Sequence, residues 1–333
     1  MTTRQNDMSP DARFSNRPPR PLISPANQWP PNIEISPGDV QGNMGSPRFP
    51  RASIHLGRRP VIDKTPQQPV ARTAVLDSLR AGQPVLSLGV RSARTADIAR
   101  FARSAGYRVI WVDLEHSSMS IDCAAQILAA AFDLGLEGWV RVPEKDYGVI
   151  GRLLDGGATG IIVPRVETAE EAARVVSAAR FPPRGQRSQI ARLPQFCFER
   201  LPAAQLMERT EQLTSVHILL ETATGIANAD AIAAVDGVDI LHVGLNDLSV
   251  DLGHTGGLRH PDVLSACKQV ATAAARHGKL AAVGGVADPE HYRELLDIGV
   301  APLIFAAIDS EILAAGLAQR AEHWRARSEK PTS

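Results

Sequence analysis

"VHILLETATGIANADAIAAVDGVDILHVGLNDLS" occupies residues 216–249 and holds the repeating unit of the chain. It opens with a short apolar run, passes through a helical stretch, and returns to a second apolar run. Apolar runs of this length, separated by a period of 3.6, are the mark of a strand, a helix and a parallel strand. Both runs stop at an acid, Glu221 in one and Asp247 in the other, 26 positions apart. That interval is about the length of one strand-helix-strand unit, so the two carboxylates fall at equivalent places in successive units.

The same pattern extends in both directions. Strands are predicted over 84–90, 108–116, 137–143, 159–166, 216–221, 238–244, 279–285 and 301–307, eight in all. Helical stretches such as "TADIARFARSAG", "TAEEAARVVSAAR" and "PDVLSACKQVATAAARHG" lie between them, several closed by the glycine expected after a helix end. Eight strands alternating with helices predict an α/β fold, a (β/α)8 TIM barrel. An open doubly wound sheet is the alternative, but no GxGxxG follows the first strand and no GxxxxGK[ST] occurs anywhere. The irregular stretch from Phe181 to Leu201 is too long for an ordinary connection between a strand and its helix, which suggests a lid.

The barrel pattern begins near residue 72 and runs to 328. Thirteen of the 24 prolines fall within residues 1–70, a density that opposes helix and ladder alike, so 1–71 reads as a disordered proline-rich extension. Residues 329–333 form a short tail. Charges balance at 36 against 36, which gives no field to draw the molecule onto nucleic acid or an anionic membrane. No run approaches a membrane span and no signal-peptide core is visible, so the expected location is cytoplasmic. Cys123, Cys197 and Cys267 form no metal or disulfide pattern and read as packing residues.

Catalytic groups of such barrels sit at the C-terminal strand ends. This chain places Asp113, Glu115 and His116 after the second strand, Arg141 on the third, Arg165 after the fourth, Glu221 after the fifth, and Asn246 and Asp247 after the sixth. Two carboxylates in a water-poor mouth repel each other unless a cation lies between them. Oxygen donors alone favour a hard divalent ion such as Mg2+ or Mn2+, with Co2+ a further candidate. Alternatively, Glu221 and Asp247 only cap the helices that follow. Arg141 has Val140 and Val142 on the other face, so its guanidinium aims into the barrel, toward a substrate carboxylate, a developing oxyanion or a structural acid. His116, beside two acids, suits proton transfer. A desolvated lysine able to form a Schiff base is the other chemistry such a mouth could hold. Of the five lysines (Lys64, Lys145, Lys268, Lys279, Lys330) only Lys145 lies near the mouth, on a loop where it stays solvated and protonated.

Taken together, "VDLEH", "VRVP", "LLDGGATGIIVPRVETAEEAARVV", "FPPRG", "LLETATGIANADAIAAVDGVDILHVGLNDLS" and "HPDV" resemble the HpcH/HpaI aldolase family, the metal-dependent class II pyruvate aldolases. The resemblance spans about residues 73–325. It implies Glu221 and Asp247 as ligands of the divalent metal, Arg141 as the residue on the pyruvate carbonyl and enolate, and His116 as the acid/base group. It further implies Asp155 as the partner of that histidine, and backbone amides of Gly244, Leu245, Asn246 and Asp247 as the seat of the pyruvate carboxylate. The implied substrate is a small 2-oxo acid. The implied assembly is a homo-oligomer, with the last helix, "SEILAAGLAQRAEHW", packed on a neighbour or on its own barrel. Three positions depart from the family pattern: Leu219 where glutamine is usual, "GQRSQIARLP" after the "FPPRG" turn, and Arg165 where methionine is common. All three border the aldehyde end. The expected reaction is reversible cleavage of a 4-hydroxy-2-oxo acid to pyruvate and an aldehyde. Decarboxylation of oxaloacetate through the same enolate, in the manner of macrophomate synthase, and a non-catalytic binding protein are the alternatives.

Overall fold

All eight expected strands form, each within a few residues of its expected limits. The computed structural model describes residues 73–328; the extension expected over 1–71 and the tail over 329–333 lie outside the described residues. The strands are β1 (Val85–Val90), β2 (Val109–Asp113), β3 (Glu137–Arg141), β4 (Gly160–Val163), β5 (Ser215–Leu220), β6 (Ile240–Gly244), β7 (Leu280–Gly284) and β8 (Leu303–Ile308). Helix α1 (Thr73–Arg80) precedes β1. Helices α2 (Asp97–Ser104), α3 (Ile121–Asp133), α4 (Ile150–Asp155) and α5 (Ala169–Ala179) follow the first four strands in turn. Helix α6 (Ala203–Leu213) leads into β5, and the short α7 (Ala223–Ala227) and α8 (Ala229–Ala233) join β5 to β6. Helices α9 (Leu245–Asp251) and α10 (Pro261–Arg276) join β6 to β7, α11 (Pro289–Asp297) leads into β8, and α12 (Asp309–Ser328) follows it.

Every paired neighbour is parallel, in the order β7-β6-β5-β4-β3-β2-β1-β8. The ring nearly closes between β7 and β8, where the N–H of Ala301, two residues before β8, donates to the Ala281 carbonyl at 2.8 Å. The eight parallel strands make the TIM-like barrel that the periodicity predicts.

The two-residue period of each strand divides its side chains between two cores. Val140, Val142, Ile161, Val163, Ile218, Leu220, Leu241 and Val243 face the helices and join the large outer core. Val109, Trp111, Trp139, Ile162, Leu219, Ile240 and Leu303 fill the barrel interior. Helix α1, not among the expected elements, adds Val75, Leu76 and Leu79 to that inner set at the N-terminal end of the strands, so it plugs the barrel floor. Two interior indoles need room beside them. A Cβ at Gly89 would lie 2.7 Å from Trp111, and one at Gly160 would overlap Trp139. Fully burying an aromatic or branched aliphatic side chain is worth about 1.5–3 kcal/mol, so these glycines protect a large share of the interior's stability.

His217 and His242 also point inward, where they are buried and structural as expected. His217 Nδ1 lies 3.1 Å from His242 Nε2, and His217 Nε2 lies 2.8 Å from Ser215 Oγ. Burial pushes His242 down to about 3, so it stays neutral.

The Phe181–Leu201 stretch is not a lid over this chain's own mouth, and its "GQRSQIARLP" segment does not border that mouth as the resemblance implied. It follows α5, so it connects a helix to the next strand and starts from the N-terminal face of the barrel. Arg187 pairs with Asp155 at 2.7 Å, and Gln195 Nε2 donates to the Leu154 carbonyl at 2.8 Å. Leu193 and Phe196 pack with Phe132, Leu206 and Leu213. These anchors lie at the end of α4 and around it, far from the strand C-termini. Cys267 is buried and Cys123 is partly covered, but Cys197 is exposed and packs no core.

Candidate active site

Asp113, Arg141 and Glu221 stand at inward positions at or just past the C-terminal ends of β2, β3 and β5. Asp113 is fully buried. Its Oδ1 accepts from Arg141 Nε at 3.0 Å, and its Oδ2 accepts from Arg141 Nη2 and from Arg91 Nε, both at 2.6 Å. The backbone N–H groups of Glu115 and His116 also donate to Oδ1. Burial works against the Asp113 charge, but the hydrogen bonds and charge of Arg141, together with Arg91, hold its carboxyl at about 2. Arg141 is therefore gripped along one edge by a permanent anion. The fork used for Asp113 leaves Nη1 and the outer N–H of Nη2 unused by that carboxylate.

Glu115 lies on the other side of Arg141, with Oε2 3.2 Å from Nη1. That oxygen is buried and has no aligned hydrogen-bond donor. Burial raises the Glu115 carboxyl above the ordinary range, against the pull of Arg141 and His116 and with the push of Asp113 and Asp247. Glu221 is more perturbed. It is 4% exposed, and burial together with the charges of Glu115 and Asp247 pushes its carboxyl up to about 7. The Arg165 N–H donates to its Oε1 at 3.1 Å. Its Oε2 rests against Gly244, where a Cβ would stand 2.7 Å away, so the glycine makes space for the carboxylate.

Asp247 is exposed in the first turn of α9 and accepts no hydrogen bond among the described residues. Glu221 caps nothing: the helix after it, α7, is capped by the Thr222 hydroxyl, which accepts from the Gly225 N–H at 3.1 Å. The capping alternative is thus ruled out for Glu221. The charges of Glu115 and Asp247 that weigh on Glu221, and the orphaned buried oxygen on Glu115, suit a divalent cation, which would relieve the repulsion that Arg141 does not fully offset.

His116 stands at the rim, its side chain 54% exposed and its Nε2 3.7 Å from Glu115 Oε2. Asp155 is not brought to it within this chain. Asp155 ends α4, at the N-terminal side of β4, and holds Arg187 at 2.7 Å. Gly244, Leu245, Asn246 and Asp247 form the turn from β6 into α9, with their N–H groups at the start of a helix. Lys145 is half-exposed between Glu144 at 4.0 Å and Glu171 at 3.9 Å, as a solvated lysine should be. Arg91 is a site residue that the sequence reading passed over. It follows the last residue of β1, so the strand-end rule that found the others applies to it equally.

Residues 90–310 match the family described as HpcH/HpaI aldolase/citrate lyase. The 4-hydroxy-4-methyl-2-oxoglutarate aldolase tasA of Hapsidospora irregularis is 36% identical over 239 residues, 71% of this chain and 88% of its own. A 5-keto-4-deoxy-D-glucarate aldolase of Klebsiella pneumoniae is 35% identical over 175 residues, 53% of this chain and 68% of its own. Among solved structures, an HpcH/HpaI aldolase from Desulfitobacterium hafniense superposes with a TM-score of 0.69 at 28% identity, covering 77% of this chain and 97% of that one. With its strand-end acids and arginines in a TIM barrel, the chain belongs to the HpcH/HpaI aldolase/citrate lyase family and is a lyase.

Proposed function

We propose that the enzyme cleaves a 4-hydroxy-2-oxo acid reversibly into pyruvate and a carbonyl compound, with Glu221 and Asp247 holding a divalent cation, Mg2+ or Mn2+. The observation that carries this reading is the crowding of Glu115, Glu221 and Asp247 around a mouth whose inward cation, Arg141, is already committed to Asp113. When bound, the cation supplies Lewis acidity to the 2-oxo acid end of the substrate.

The chain's own groups do the rest. Arg141, held in orientation by Asp113, directs its remaining N–H groups at the C2 oxygen as negative charge develops there. The turn from Gly244 to Asp247 offers backbone donors to the C1 carboxylate. His116 at the rim takes the proton of the C4 hydroxyl. The C3–C4 electron pair then passes into the C2 carbonyl and C4 becomes a carbonyl. Protonation of the resulting enolate at C3 gives pyruvate.

The same reading extends to assembly. Helix α12 packs its start on β1 and β8 but leaves Ile312, Leu313 and Leu317 each more than half exposed. An apolar groove of about 430 Å³, lined in part by Leu88, Ile98, Phe101, Ile312 and Leu313, runs between α2 and the start of α12. A second copy seated there would make the homo-oligomer.

The direct test removes divalent ions with EDTA and restores Mg2+ or Mn2+ while pyruvate release from 4-hydroxy-2-oxo acids is followed. Activity should vanish and return. Full turnover in metal-free protein would defeat the reading.

A further inference from the structure

We propose that Arg165 binds a carboxylate at the acceptor end of the substrate, so that the enzyme selects 4-hydroxy-2-oxo acids whose C4 fragment is itself an acid. The proposal rests on the reading of Glu221 and Asp247 as cation ligands, because that reading orients the substrate.

The base of Arg165 is fixed and its tip is loose. Its N–H donates to Glu221 Oε1 at 3.1 Å, and the next N–H, of Val166, donates to the Leu219 carbonyl at 3.4 Å. Between these two tethers Arg165 adopts φ +50°, a left-handed conformation that a residue with a side chain rarely takes. The backbone is thereby pinned against β5, beside the proposed cation ligand. The side chain is 45% exposed, and its only side-chain partner among the described residues is Glu144, 3.8 Å from Nε. Its Nη1 and Nη2 donate to nothing among the described residues.

The other cations near the mouth have partners within the chain. Arg91 and Arg141 are tied to Asp113. Arg94 donates to the carbonyls of Arg91 and Ala93. Lys145 is shared by Glu144 and Glu171, the latter in the first turn of α5. A substrate anchored by its 2-oxo acid end extends its C4 fragment away from the cation and toward the rim. A second carboxylate on that fragment would be repelled by Glu115, Glu221 and Asp247 and attracted by Arg165. Exchange of the distant, exposed Glu144 pair for a close bidentate carboxylate favours binding. Leu219, buried beside it in the place where glutamine is usual, offers no polar side chain to the substrate.

The test compares two probes that share the chelating end and differ at the other, 2-oxoglutarate and 2-oxopentanoate, titrated calorimetrically into Mn2+-loaded enzyme. Wild type should bind the diacid at least about tenfold more tightly, one charge-assisted contact's worth. Arg165→Met should bring the two affinities together, Arg165→Lys should keep part of the gap, and Lys145→Met should keep all of it. Equal affinities in wild type, a gap that survives Arg165→Met, or a gap lost in Lys145→Met would each overturn the assignment. Pyruvate, titrated alongside, separates the two levels. If pyruvate shows no Mn2+-dependent binding, the proposed function fails; if it binds while the diacid has no advantage, only the role of Arg165 fails.

Discussion

Replacing Glu221 by glutamine should stabilise the metal-free protein while it weakens the metal-loaded one. In the folded chain burial, Glu115 and Asp247 push the Glu221 carboxyl from 4.5 up to about 7. An acid whose pKa rises on folding binds its proton more tightly in the native state. It carries no penalty below pH 4.5, accumulates one as pH climbs toward 7, and holds it above that. At roughly 1.4 kcal/mol per pH unit, the interval is worth about 3 kcal/mol. In a domain of this size that is about 5–10 °C in Tm. Glutamine is close in volume and keeps an oxygen for the Arg165 N–H, so the substitution removes the charge with little change in packing.

Melting curves of EDTA-treated wild type and Glu221→Gln at pH 5, 6, 7 and 8 measure the effect. The difference between the proteins is the readout, because His242 works in the opposite sense. Its pKa is pushed by burial from 6.5 down to about 3, so its contribution to stability is lost as pH falls below 6.5. That trend is common to both proteins and cancels. Asp113, held at about 2, loses its contribution only as pH falls below 3.8, outside the range. The variant's advantage should be slight at pH 5 and full at pH 8. Added Mn2+ should then raise the wild-type Tm by mass action and the variant's much less. A variant no more stable than wild type at pH 8, or an advantage that does not grow with pH, would refute the argument that this carboxylate is held against its own charge.

Gly244→Ala places a Cβ 2.7 Å from Glu221 Oε2 and should weaken Mn2+ binding about 10–100-fold, read by EPR titration; wild-type affinity would count against Glu221 as a ligand. Asp113→Asn withdraws the anion shared by Arg91 and Arg141 and should cost roughly 3 kcal/mol or more in urea unfolding, with pyruvate release reduced as well. An unchanged unfolding midpoint would mean that the two arginines find other partners. Leu313→Glu combined with Leu317→Glu should lower the sedimenting mass by charging the exposed apolar face of α12, and an unchanged mass would place the subunit contact elsewhere.

Much of this site is legible in one dimension because a barrel turns chain position into direction. Once the strands are located by their apolar runs, the side chains at their C-terminal ends must converge, which is why Glu221, Asp247, Arg141 and His116 could be named from spacing alone. Partnership is another matter. Asp113 is held by arginines 22 and 28 positions away, and its role as the clamp on Arg141 follows from a register between β2 and β3 that no local pattern encodes. Asp155 shows the same limit from the other side: resemblance linked it to His116, whereas the fold places it at the far end of α4 in the grip of Arg187.

The Phe181–Leu201 stretch explains why length is a poor guide to function without direction. A connection that leaves a strand in a parallel barrel emerges at the catalytic face, and one that leaves a helix emerges at the opposite face. Helix α5 stands between β4 and this stretch, so even its 21 residues start from the stability side and are anchored there by Arg187 and Gln195. Arg165 is the converse case. It lies just two residues past the end of β4, in a short connection with no claim to attention by length, yet it leaves its strand toward the mouth and its guanidinium meets a single fixed acid, Glu144, at 3.8 Å. The residues free to distinguish one acceptor from another are therefore sought by strand exit and lack of a committed partner, which is the ground on which Arg165→Met, rather than any change in the longer loop, is expected to alter what the enzyme accepts.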